Sequence, residues 1–477
     1  MAAPKGVDYI GCVAIDALEE VGAGVEGWID NPSVVFAMSR EQIAFARERV
    51  LVMQLRWKGA GDASEAVLTQ VGASSSEFYE VVTSLEWLAF DEFTVLAVGT
   101  SLGALMLYSQ WGIPLFRQYF NAGPVLRIRA RQDCNLTVGT TVSEDVCLVF
   151  PKAIVRIDVL DIYALLRRFV PRRERGSRDG SSSGRRYGDL QRTESVNFTL
   201  AYEMWNISKS AASGACADGV LACVMAPPLL EHQLKRHYCA LTVGADYTLA
   251  AFRVSGEKRS SLAGVVFDKV MPAAVSTITS LAKRFWKSDP TSESNRPTEV
   301  TPQAFGRATL ITTLLDNRRK GVSLAVSPSG SLAAVTDSLG RISLVDVQAL
   351  VVVRLWKGYR DAHCMFLEAP RDGRQGYEEG QSRRRSTLDR DDFSLCLAIH
   401  APRRGYIEVW QMRYGARLMV VRCTESCRLV QPSCKFKFSN EPMTFESVDR
   451  DEFTPTKVYI FYANSGILSV LNPFSPT

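Results

Sequence analysis

The chain has 477 residues, 46% hydrophobic and 22% charged, which is too long for one small core and too apolar for a chain that stays unfolded. Its formal charge of +5 is local: nine arginines against Glu174, Asp179 and Asp189 between Arg167 and Arg192 give 9 − 3 = +6, so the rest is near neutral and lacks the basic face that nucleic-acid binding needs. No apolar run reaches the roughly 18 residues of a membrane span, and Met1 to Asp16 lacks the basic and apolar regions of a leader. The eleven cysteines are an odd count, and most, such as Cys147, Cys239, Cys364 and Cys396, sit in apolar runs as small buried hydrophobes, which fits a reducing, cytoplasmic compartment.

In chain order, residues 1–32 read as a flexible N-terminal segment. Within it Gly22-Ala-Gly24-Val-Glu-Gly27 matches the dinucleotide pattern G-x-G-x-x-G, but Pro32 follows where a phosphate-binding helix would have to run. From Ser33 onward one pattern recurs seven times: an apolar run, a short turn, then a strand alternating at period two. The turns fall near Arg40, Gly103, Pro151, Asp246, Gly340, Arg404 and Ser465. Val98-Gly-Thr-Ser-Leu-Gly-Ala-Leu-Met-Leu107 and Val335-Thr-Asp-Ser-Leu-Gly-Arg-Ile-Ser-Leu344 are the clearest copies. Further strands flank each pair, as Val351 to Trp356 follows Ile342 to Val347, so four strands per unit are expected.

One such unit leaves both faces of its sheet uncovered, whereas units arranged radially cover one another. The predicted fold is therefore all-β: a seven-bladed β-propeller over 33–472, followed by a short tail at 473–477. Three insertions lengthen it, at 171–195, 255–307 and 370–392. The first and third have the Arg/Ser/Gly-rich or charged composition of disorder. The middle one holds an amphipathic helix from Val265 to Trp286, with Phe267, Val270, Met271, Ile278, Leu281 and Phe285 on one face. That stripe fits the propeller itself, a partner or a membrane surface.

Motifs with a chemical look dissolve on their surroundings. Gly99-Thr-Ser101-Leu-Gly103 matches the nucleophile elbow, which needs a helix after the serine, but Ala104 to Ser109 alternates as a strand. Cys423, Cys427 and Cys434, or His232, His237 and Cys239, lack the paired C-x-x-C spacing of structural zinc. Only four histidines occur in all. No catalytic residue, metal set or cofactor is expected, and the chain reads as a non-enzyme. Two segments stand apart: Trp356-Lys-Gly-Tyr-Arg-Asp-Ala362 and Ala401-Pro-Arg-Arg-Gly-Tyr-Ile-Glu-Val-Trp410. Trp356 and Trp410 read as core residues, while Lys357, Tyr359, Arg360, Asp361, Arg403 and Arg404 form the candidate partner-binding set, because Tyr and Arg are favoured interface anchors.

Together with Leu332-Ala-Ala-Val-Thr-Asp337, Val98 to Tyr108, Gly123-Pro-Val-Leu126, Phe150-Pro-Lys-Ala-Ile-Val155 and Cys427-Arg-Leu429, these two segments closely resemble the N-terminal domain of the regulatory, non-catalytic subunit of the Rab-three GTPase-activating protein complex, from about Ser33 to Leu471. The resemblance implies a partner subunit that supplies the catalytic residues for Rab GTP hydrolysis. It also implies a complex that promotes nucleotide exchange on Rab-eighteen, with peripheral contact at the endoplasmic reticulum. The family's long, largely helical C-terminal region has no counterpart within the 477 residues. An alternative comes from Pro402-Arg-Arg-Gly405, which resembles the Phe-Arg-Arg-Gly signature of phosphoinositide-binding propellers with proline in place of the aromatic.

Overall fold

The computed structural model describes residues 6–55, 65–71, 79–131, 144–169, 199–207, 216–225, 235–257, 305–371, 390–423, 425–436 and 453–473. Within them, seven four-stranded antiparallel sheets form the blades of a propeller. Blades 1 to 6 span residues 34–70, 82–119, 127–206, 216–314, 321–357 and 363–422. Blade 7 joins Cys427–Val430, Tyr459–Tyr462 and Ile467–Leu471 to the N-terminal strand Val7–Cys12. First strands of successive blades pack against one another, which puts them around the axis and the fourth strands at the outer edge.

This arrangement explains burial that the local pattern alone leaves ambiguous. Second strands are covered on both faces, so Asp145–Val149 is buried at every position and Gln42–Arg47 at all but its last, and the expected alternation is absent there. Outer strands stay largely open instead: Ala308–Leu314 has no buried position, and Val351–Lys357 buries Trp356 alone. The apolar side chains collect in seven clusters, one in each gap between neighbouring blades. Each large side chain so covered contributes on the order of 1.5–3 kcal/mol of transfer free energy. The two clearest sequence copies repeat even in their irregularities: blades 2 and 5 share a bulge in the first strand, at Val82/Ser84 and Gly321/Ser323, and another in the fourth strand, at Leu115 and Val353, opposite Leu107/Tyr108 and Leu344/Val345.

Three expectations need correction. Of the segment read as flexible at 1–32, the described residues 6–32 are instead built into the propeller: Val7–Cys12 pairs antiparallel with Ile467–Leu471 and closes the ring, and Trp28 is buried, its Nε1 donating to the Ala463 carbonyl at 3.2 Å. Gly22 and Gly27, at φ +103° and +71°, bracket the short turn that carries the chain from this strand to blade 1. The turn near Arg40 joins the first and second strands of blade 1, not the second and third. Ser39 Oγ accepts from the Gln42 amide there at 3.1 Å, while the second-to-third turn lies at Glu48, which takes φ +54° without a glycine to announce it. Strand Leu249–Glu257 also runs three residues into the insertion at 255–307.

A short helix, Val159–Leu166, was not expected. Asp158 caps it by accepting from the Leu160 amide at 2.9 Å, and Tyr163 stacks on Phe93 at 5.7 Å. Eight residues are too few for a clear helical period to show in sequence. The strand ends that flank 171–195, 255–307 and 370–392 are third-to-fourth or first-to-second ends, which antiparallel pairing assigns to one rim. The helix expected over Val265 to Trp286 lies outside the described residues.

Candidate functional site

The opposite rim carries the second-to-third turns and the crossings from one blade to the next. Between blades 5 and 6 three such loops converge: the turn before Arg341, the crossing from Gly358 to Ala362, and the turn Pro402–Arg404. Their backbone is tightly specified. Gly340 takes φ +83°, and a Cβ there would lie 2.7 Å from the Arg360 amide nitrogen; in return the Tyr359 amide donates to the Gly340 carbonyl at 2.8 Å. Gly358 at φ +84° and Asp361 at φ +58° turn the crossing sharply, Asp being among the side chains that tolerate that region. Gly405, at φ +67°, ends the Pro402–Arg404 turn.

Leu339, Gly358, Tyr359, Arg360, Ala401, Arg403 and Arg404 line a cleft of about 400 Å³ at this convergence. Of the sequence-predicted set, the structure brings Tyr359, Arg360, Asp361, Arg403 and Arg404 together, while Lys357 ends the outer strand of blade 5 away from the cleft lining. Arg404 lies 4.7 Å over the Tyr359 ring and donates to the Tyr406 hydroxyl at 2.7 Å. Arg403 Nε meets Asp361 Oδ2 at 2.5 Å, both side chains being exposed. Lys357 and Arg360 are exposed cations with no hydrogen bond or ion pair among the described residues.

Tyr359 departs from the reading of an open anchor. It is only 8% exposed, and its hydroxyl donates to Glu408 Oε2 at 2.6 Å. Glu408 also accepts from Trp410 Nε1 at 3.2 Å and from Arg417 Nη1 at 2.9 Å. Burial pushes the Glu408 carboxyl up, but the hydrogen bonds from Tyr359, Arg417 and Trp410 outweigh it and hold the group below its ordinary value. Burial and then the Glu408 carboxylate keep the Tyr359 hydroxyl protonated well above the ordinary phenol range. Trp356 and Trp410 meet edge to face at 6.0 Å across the blade boundary, with Arg354 4.7 Å from each ring. Glu408 escaped the sequence reading, although its place two residues before Trp410 at strand spacing puts both on one face, a signal that the carboxylate can accept from the indole.

Ser101 sits between two strands, Thr94–Thr100 and Ala104–Ser109, and its Oγ accepts from the Val81 amide at 3.1 Å, the bonding of a turn residue. One blade joint beyond the cleft, His400 gathers with Cys423 and Cys427, their ligand atoms all within 4.8 Å of one another. Cys434, read alongside them from sequence, instead points its thiol at the Ala130 carbonyl, 3.4 Å away. His232 lies outside the described residues.

A curated relative, the Rab3 GTPase-activating protein regulatory subunit of Caenorhabditis elegans, is 28% identical over 113 residues; the aligned stretch is 24% of this chain and 7% of the worm protein, so the chain matches only a small part of that relative's length. Among solved structures, the WD40 beta propeller domain of Doa1 aligns with 98% of this chain and 97% of its own at 9% identity and a TM-score of 0.43. BBS1N, solved in complex with ARL6DN, aligns with 98% of this chain and 96% of its own at 10% identity and a TM-score of 0.45. The family of the Rab3 GTPase-activating protein regulatory subunit N-terminus matches residues 28–430, from the buried Trp28 to the inner strand of blade 7, and the chain belongs to that family.

Proposed function

We propose that this chain is the non-catalytic, scaffolding part of a Rab GTPase regulator, binding a catalytic partner subunit through the rim between blades 5 and 6. The partner supplies the chemistry of GTP hydrolysis or nucleotide exchange; this chain positions it, or the Rab, on the cytoplasmic side of membranes such as the endoplasmic reticulum. Family membership carries the regulatory role. The rim supports the place: its cleft is preorganised by the Arg404–Tyr359 stack and the Tyr359–Glu408 bond, and Arg360 and Lys357 stand free for acidic groups of a partner. Preorganisation matters because side chains already held in one geometry lose less entropy on binding.

The alternative ligand for the arginines, an anionic phosphoinositide headgroup, fits less well, since the Asp361 carboxylate already occupies Arg403 and would repel a phosphate. Co-purification of the chain with a catalytic subunit separates the readings. The double variant Lys357→Glu, Arg360→Glu is expected to weaken capture at least tenfold while its thermal midpoint stays at the native value. Undiminished capture by the folded variant removes this rim as the interface. Liposome flotation that depends on Arg403 and Arg404 transfers the site to lipid.

A further inference from the structure

We propose that His400, Cys423 and Cys427 bind one Zn²⁺ ion, which clamps blade 6 to blade 7. The three come from separate places in the chain. His400 is next to last in the second strand of blade 6, Cys423 follows that blade's outer strand, and Cys427 opens the inner strand of blade 7. Cys427 Sγ lies 3.6 Å from His400 Nε2. With Zn–S near 2.3 Å and Zn–N near 2.0–2.1 Å, a tetrahedral centre separates such a pair by about 3.6 Å, so a metal seated here requires little movement of these two ligands.

The donor chemistry selects the ion. Two thiolates and an imidazole are a soft set suited to zinc, and two thiolates neutralise its charge, which a site this buried requires. His400 and Cys427 are 3% and 2% exposed, whereas Cys423 is half-buried and opens the fourth position to water. The surroundings hold the ligands in place. Glu425, in the loop between the cysteines, accepts from the Asn464 and Ser465 amides at 3.1 and 3.2 Å, fixing that loop on blade 7. Arg428, beside Cys427, is paired with Asp30 at 3.1 Å, so its charge is balanced locally. His400 Nδ1 finds no partner among the described residues, and the ring is oriented by stacking on His363, centroids 6.2 Å apart. Three protein ligands with an open fourth position place the centre among sites that accept an outside ligand, here water.

The test uses the full chain, loaded with Zn²⁺, desalted and analysed for metal. About one zinc per chain is expected, with loss of at least tenfold in Cys427→Ser and in His400→Gln, and none in the control Cys434→Ser. Because a ligand variant can fail to fold, Co²⁺ substitution of the native chain gives a second reading: thiolate charge-transfer bands with tetrahedral d–d absorption support the site. Absence of stoichiometric metal from the native chain overturns it, as does a Co²⁺ spectrum without thiolate bands. So does a Cys423–Cys427 disulfide found by peptide mapping of the unreduced chain.

Discussion

Arg131 and Arg156 sit 5.3 Å from the Tyr238 ring and both bond Asp145, at 2.8 and 2.9 Å, in the gap between blades 3 and 4. At the rim of blades 5 and 6 the same residue types recur, with Arg404 over Tyr359 and Arg403 on Asp361. What separates the two clusters is water. Asp145 is fully buried, whereas Arg403 and Asp361 are 62% and 61% exposed. In the interior a charge without its partner has no solvent to turn to, so the cluster is structural; at the surface water screens the pair at little cost and leaves it able to exchange for another protein's charges.

The sharpest way to break that contrast is Asp145→Ala, which strands the Arg131 guanidinium in the blade gap and takes from Arg156 one of its carboxylate partners, leaving it Glu203 at 3.1 Å. A loss of about 3–5 kcal/mol is expected by chemical denaturation. A cost under about 1 kcal/mol would show that the buried cluster behaves like a surface pair.

Glu408 is the intermediate case, a buried carboxylate directly beneath the exposed rim. Its folded-state value lies below the ordinary 4.5, so its ionised form adds stability above about pH 4.5, and that contribution is lost as pH falls through the lower, folded-state value. Glu408→Gln is expected to cost about 1.5–3 kcal/mol at neutral pH, the worth of a hydrogen bond to a charged group, and to flatten the acid limb of the stability profile. An unchanged acid limb would remove Glu408 as its origin.

The smallest stability effect belongs to Arg403→Ala, expected within about 1 kcal/mol of the native chain. If it also leaves capture of a catalytic partner unchanged, Arg403 is ordinary surface, and the contrast narrows to Arg360 and Lys357.

Much of the ring was legible because its unit is local. The Ser-Leu-Gly turns at Gly103 and Gly340 mark second-to-third hairpins, and the flanking strand of blade 5 falls at Val351–Lys357, where the sequence reading put it. Blade 1 misled because Ser39 makes a convincing turn one strand too early, while Glu48 adopts a left-handed conformation that its residue type does not advertise. In the site, the pairing of the Trp356 and Ala401 segments was readable as a cluster of unusual side chains. Glu408 was missed because a carboxylate inside a strand reads as solvent-facing until its neighbours are known, and His400 because its two cysteine companions lie 23 and 27 residues further along the chain.

Turn chemistry and apolar runs determined by themselves that short antiparallel strands form and that they repeat, since both depend on residues within reach of one hairpin. Only the closed ring decided that Val7–Cys12 completes the blade begun at Cys427, which second strands lose their alternation, and which arginines are buried. Those outcomes depend on contacts between segments hundreds of residues apart and on the water those contacts exclude, and neither quantity is written in any local stretch of the chain.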